Sequence, residues 1–178
     1  MAEDIDIAPS PAMGPRVSRW GLLAYAIAAV VIVLDQLSKY WVLQVIDLQQ
    51  AGPVKVLPVF QLTMVWNPGV SFGLFRADSG SGRWVLVLLA LAIVVALAAW
   101  ARRLDRPLTA VALGMVMGGA VGNNLIDRVR FGAVADFLDF HALMFPWVFN
   151  VADSAISVGV ALLLLDSLLR PNPRPPAT

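Results

Sequence analysis

The chain has 178 residues, 59% hydrophobic and 14% charged, with a mean hydropathy of +0.76, whereas a soluble domain carries about 25% charged residues. The net charge of +1, with arginines scattered along the chain, leaves no basic face for a nucleic acid. The absence of cysteine excludes disulfides, a thiol nucleophile and thiolate-bound metal, and the lone His141 excludes a histidine-rich metal site.

Residues 1–15, with three acids and three prolines, read as a disordered tail, and 171–178, with four prolines, as another. Between them, residues 16–170 read as a single α-helical integral membrane domain. Its four spans fall at roughly 20–43, 84–101, 108–126 and 147–169, each near the ~20 residues a helix needs to cross the hydrocarbon. The first span follows Arg16 and Arg19, as a signal peptide would. It is too long for one and no small-residue cleavage site follows, so it is read as retained. Arg16 and Arg19, then Arg102, Arg103 and Arg106, then Arg170 and Arg174 flank the spans on one side, which predicts both termini in the cytoplasm. Residues 44–83 and the connection 129–146 are then extracytoplasmic.

Within span one, Asp35 and Lys39 lie four residues apart on one helical face, the favourable order for an ion pair, and predict a structural anchor near the outer interface. In the outer segment 44–83, residues 54–66 are rich in β-branched and aromatic side chains and Asn67-Pro68-Gly69 is a turn signal, predicting a small sheet on the outer leaflet. Gly69-Val70-Ser71-Phe72-Gly73 matches the Gly-x-Ser-x-Gly pattern of serine hydrolases. That elbow requires a strand-to-helix turn in an α/β sheet, which nothing around it supplies, so small residues in a tight loop are the preferred reading.

Span three carries Gly114, Gly118 and Gly122 at four-residue spacing, a stripe for close helix packing. It ends in Asn123-Asn124-Leu125-Ile126-Asp127-Arg128. Asp136 follows in the outer connection, and the apolar run Phe137–Trp147, interrupted by Asp139 and His141, predicts an interfacial amphipathic piece. Asp153 lies about six residues into span four, on the order of 9 Å from its start.

Asp136 and Asp153 carry the functional argument, because a membrane pattern excludes carboxylates unless they serve chemistry or transport. At one depth they can share a proton and activate water. Two other readings stand beside this one: acids separately paired with Arg128, asparagines or water, and a small transporter or flippase using the pair for proton coupling. Spans without an inverted repeat or a mid-membrane break weigh against transport.

Five ordered blocks resemble the bacterial lipoprotein signal peptidases, or signal peptidase II. They are Asp35-Gln36-Leu37-Ser38-Lys39, Asn67-Pro68-Gly69-Val70-Ser71-Phe72, the run from Gly118 to Asn123 leading into Asp127-Arg128, Val134-Ala135-Asp136-Phe137, and Phe149-Asn150-Val151-Ala152-Asp153-Ser154. The resemblance implies an intramembrane aspartic endopeptidase of the bacterial inner membrane, with Asp136 and Asp153 as the catalytic pair. It implies a diacylglyceryl-modified prolipoprotein substrate, cut before its lipidated cysteine, in contact with membrane lipids. It calls for no metal or other cofactor and no obligate protein partner. Asp35, Lys39, Asn67, Gly69, Asn124, Arg128 and Asn150 fall on its site-supporting positions. The family has a single asparagine before the Asp-Arg pair, where this chain has Asn123 and Asn124. Counting back from Arg128 selects Asn124 and counting on from Gly122 selects Asn123, so that position is left open.

Overall fold

The computed structural model describes residues 17–69 and 80–169. Both tails, and Ser71 with most of its Gly-x-Ser-x-Gly run, lie outside the described residues. Ser18 starts helix α1 (Arg19–Tyr40) by accepting the Gly21 N–H on its Oγ at 3.0 Å, which satisfies a donor that the first turn leaves free. The helix continues through a π-helical turn, Trp41–Val45. After the short α2 (Leu48–Ala51) come strands β1 (Val54–Leu57) and β2 (Phe60–Asn67). Helices α3 (Gly80–Ala101) and α4 (Pro107–Ala120) follow; Pro107 sits at the start of α4, where its missing N–H costs nothing. A π-helical stretch, Val121–Asp127, leads from α4 into α5 (Arg128–Phe131), then β3 (Val134–Asp139), β4 (Val148–Phe149) and α6 (Val151–Leu168).

Among the described residues four helices are long and apolar enough to cross a membrane: Arg19–Val45, Gly82–Ala101, Pro107–Phe131 and Val151–Leu168. The third is central, with 61% of its apolar window buried against 22% in each of the others. The glycines explain how it gets there. A Cβ on Gly114 would stand 2.5 Å from the Ala24 carbonyl oxygen and one on Gly118 2.7 Å from that of Ala28, so these positions set α4 against α1. Gly119 and Gly159 do the same between α4 and α6, where a Cβ would come within 2.5 Å of Ala152 O and 2.8 Å of Ala112 O. Close backbone approach substitutes for the hydrophobic drive that lipid does not provide.

At one end of the bundle the four strands form an antiparallel sheet in the order β1-β2-β3-β4. Val42 and Leu48 pack under it against Leu62 and Phe137, all buried. The register sets Val65 opposite Asp136 and Leu138 opposite Phe149, so the sheet receives the loop after α5 and hands the chain to α6.

Three expectations are corrected. The last span starts at Val151, since Val148–Phe149 pairs as a strand, and Asp153 therefore lies in the first helical turn instead of about two turns in. The sheet extends past the outer segment and includes Asp136 itself. The amphipathic piece is shorter than its expected range, because Phe137 to Asp139 are strand residues and only the loop beyond them, with a 3-10 turn at His141–Leu143, is exposed.

The packing predicts that Gly119→Ala destabilises the protein by about 1–3 kcal/mol, the usual cost of overpacking, and lowers its unfolding temperature in detergent by several degrees. A wild-type melting profile would show that α4 and α6 do not approach this closely.

Candidate active site

The end of the bundle beneath the sheet is built around one buried ammonium. Lys39 Nζ lies 2.8 Å from Asp35 Oδ2, 2.7 Å from Asp127 Oδ2 and 2.7 Å from Asn123 Oδ1, and all four side chains are buried. The expected Asp35–Lys39 pair is thus one edge of a cluster with two carboxylates to one lysine. Gln36, a residue the sequence reading passed over, donates to Asp35 at 3.1 Å and to Asp127 at 3.0 Å. Its signal was an amide next to an acid inside an apolar span.

Both acids also reach backbone, Asp35 through its remaining oxygen and Asp127 through the oxygen that faces Lys39. Asp35 Oδ1 accepts the Ala152 N–H at 3.1 Å, an anion at the start of α6 where the helix dipole favours it. Asp127 Oδ2 accepts the Ala135 N–H at 3.2 Å. Each of these backbone groups belongs to the residue just before Asp153 or Asp136, so the cluster holds the chain beside both.

Three asparagines orient the two carboxylates, and in each the amide oxygen is already committed. Asn123 Oδ1 accepts from Lys39, which turns its Nδ2 toward Asp153 Oδ1 at 2.8 Å. Asn150 caps α6, its Oδ1 accepting the Asp153 N–H at 2.9 Å, and its Nδ2 then donates to Asp136 Oδ1 at 2.6 Å. The box closes as the Asn150 N–H donates to Asp153 Oδ2 at 3.2 Å. Asn67 Oδ1 accepts the Gly69 N–H at 3.2 Å, and its Nδ2 donates to Asp136 Oδ2 at 3.2 Å.

The two asparagines left open by the sequence take different partners. They lie in the π-helical stretch Val121–Asp127, whose turn is wider than that of an α-helix. Asn123 faces Asp153 and Lys39, and Asp127 also faces Lys39. Asn124 supports a different group, accepting from Arg128 Nε at 3.2 Å. Arg128 donates to the carbonyls of Pro68 at 3.0 Å and Gly69 at 2.8 Å. The guanidinium, expected as a partner for the acids and on a site-supporting position, holds the chain just past β2 beside Asn67.

Asp136 and Asp153 line one groove of about 440 Å³, walled by Phe145, Trp147, Phe149 and Ile156. Asp136 is 3% exposed. Burial, and after it the charge of Asp153, push its carboxyl up to about 7 against the hydrogen bonds from Asn67 and Asn150. Among the described residues no group of three or more metal-ligating side chains occurs.

Two carboxylates that share a groove at the mouth of a helical membrane bundle fit the class of intramembrane aspartic peptidases. The model of the family described as Signal peptidase (SPase) II matches residues 27–169. The chain belongs to that family. It is 55% identical to the lipoprotein signal peptidase of Caulobacter vibrioides over 86% of this chain and 90% of that one. With the lipoprotein signal peptidase of Methylorubrum extorquens it shares 51% over 83% and 85%. Two solved structures of bacterial membrane enzymes share the fold. One has a TM-score of 0.72 at 24% identity, covering 87% of this chain and 93% of its own. The other has 0.70 at 28%, covering 83% and 94%. The chain is accordingly a multi-pass protein of the inner membrane, and its family favours peptidase chemistry over a transporter or flippase.

The two-to-one charge ratio predicts an asymmetry. Lys39→Met leaves two buried carboxylates facing each other and should cost about 3–5 kcal/mol. Asp127→Asn leaves one acid for one base and should cost less. Thermal unfolding in detergent ranks the variants, and equal losses would contradict a shared ammonium.

Proposed function

We propose that Asp136 and Asp153 are the catalytic carboxylates and that they hydrolyse the peptide bond preceding a diacylglyceryl-modified cysteine in a prolipoprotein. The observation that carries this reading is Asn150, whose side chain and backbone bond both carboxylates at once. A single residue thereby fixes their mutual orientation.

The raised Asp136 carboxyl is suited to keep the proton the pair shares, leaving Asp153 as the base. Asp153 takes a proton from water as the water oxygen attacks the scissile carbonyl, and Asp136 gives its proton to the carbonyl oxygen. The tetrahedral diol then collapses: its hydroxyl proton returns to Asp136, the proton on Asp153 passes to the leaving nitrogen, and the C–N bond breaks. Products are a carboxyl-terminated signal peptide and a free amine on the lipidated cysteine. The scheme calls for no metal or cofactor. Asp35, Lys39, Gln36 and Asn123 hold the two acids from below, while Asn67, Gly69, Asn124 and Arg128 hold them from the β2 side. The aromatic and aliphatic groove wall suits a substrate that arrives in the lipid phase.

The arginine distribution supports cytoplasmic termini and an active site near the extracytoplasmic face, in one membrane domain over 16–170. In intact cells a single cysteine in place of Ala142 should react with an impermeant thiol reagent and one in place of Asp105 should not. The reverse pattern would invert the topology.

Asp136→Asn and Asp153→Asn should each lose cleavage of a lipidated prolipoprotein while still inserting in the membrane, and Ser71→Ala should retain activity. The shared proton also sets a pH dependence. As pH rises through about 7, Asp136 in the free enzyme loses its proton and the acid disappears, so kcat/KM should fall on the alkaline side. As pH falls and Asp153 gains a proton, the base disappears. A kcat/KM that stays flat from pH 6 to 9, or near wild-type turnover by either asparagine variant, would overturn the assignment.

A further inference from the structure

We propose that His141, held by Asp139, is a positioning residue for the aromatic wall of the cleavage groove, acting on substrate binding and not on the bond-breaking step. The inference rests on the groove beside Asp136 and Asp153 being the cleavage site.

The wall belongs to the loop between β3 and β4, closed at its base where Asp139 pairs with Val148 and Leu138 with Phe149. At that base Phe140 stacks on Phe60 of β2 and on Phe149 of β4, with ring centroids 4.8 and 5.7 Å apart, and the residues past it are exposed. Met144 is 94% exposed, Trp147 53% and Phe145 41%. Phe145 meets Trp147 and Phe149 edge-on with ring centroids 5.3 and 5.7 Å apart, which orders the wall's rings among themselves without tying the loop to β2.

Besides the Phe140 stack on Phe60, the tie of His141 to β2 is made by Asp139. Its Oδ2 accepts from Gln61 Nε2 and Thr63 Oγ1, both at 2.7 Å and both on β2. Its Oδ1 accepts the His141 N–H at 3.0 Å and is bonded by His141 Nδ1. Burial alone would raise this carboxyl, but the donors from Gln61, His141 and Thr63 hold it well below the usual carboxylate range, so it is anionic throughout the working pH range. An anion with four donors, two from β2 and two from the loop, locks the loop to the sheet. Nδ1 must carry the proton that points at the carboxylate, and His141 lines a depression together with Lys55 and Gln61. From His141 a single 3-10 turn and the left-handed Met144, at φ 57°, lead to Phe145. With so few free torsions between them, displacement of His141 moves the ring that lines the groove.

The His141 ring is 55% exposed, so His141→Ala should fold as the wild type does. With a lipidated prolipoprotein in mixed micelles, it should raise KM about fivefold or more and leave kcat within about twofold, the signature of lost ground-state binding. His141→Asn, whose Nδ2 can donate to Asp139, should recover most of the loss. In a Phe145→Ala background His141→Ala should add little, because the ring it positions is gone. Unchanged KM in His141→Ala, a fall in kcat at constant KM, or fully multiplying effects with Phe145→Ala would each overturn the proposal. Asp153→Asn assayed alongside separates the two failures. Cleavage by that variant would remove the groove assignment itself, whereas an inactive Asp153→Asn with wild-type kinetics in His141→Ala would remove this inference alone.

Discussion

The rest of the site depends on a lysine buried with two carboxylates where no bulk water can solvate them. Lys39 and its partners Asp35 and Asp127 come from α1 and the end of the α4 segment, and the two acids extend to backbone N–H groups of α6 and β3. Burying three charges is expensive, and the expense is limited only if every oxygen and proton finds a partner. That requirement makes the cluster geometrically strict. It ties four separate chain segments together, and two of the tied residues immediately precede Asp136 and Asp153.

Directionality follows from the same demand. An asparagine amide can face either way, but here each oxygen is claimed by an obligate donor: an ammonium at Asn123, a helix N–H at Asn150 and a turn N–H at Asn67. The amino groups are left to point at the carboxylates. A carboxylate pair held by fixed donors needs little reorganisation as charge moves during reaction, which is the preorganisation that catalysis exploits. The β2 end is secured in parallel by Arg128, whose planar fork spans the Pro68 and Gly69 carbonyls.

The glycine positions of α4 show why this polar cluster coexists with a tightly packed bundle. Gly122 faces Asp35, where a Cβ would stand 2.6 Å from Oδ2. Four residues earlier Gly118 receives the α1 backbone itself. One stripe of missing side chains thus supports apolar packing through the middle of the membrane and makes room for the charges at its end.

The four spans, the β-rich outer segment and the suspect carboxylates were legible in the sequence, because hydropathy and period report burial along a single element, and a charge inside an apolar run stands out without knowledge of its neighbours. Asp35 and Lys39 were legible as a pair since their four-residue spacing is a local property of a helix. Asp127 as the second acid of the cluster, Gln36 as its bridge and the tie from Asp139 to His141 and β2 were not, because they depend on which faces of separate elements meet. The start of α6 was misplaced because Val148 and Phe149 are apolar enough to continue a span, and only pairing with β3 makes them a strand. The different partners of Asn123 and Asn124 were not legible either, because they follow from a π-helical stretch that no composition signals. Sequence alone determined which residues had chemistry to offer and how each element buries itself. The tertiary structure decided which of them share a donor or a groove, since those relations are set by distances between segments far apart in the chain.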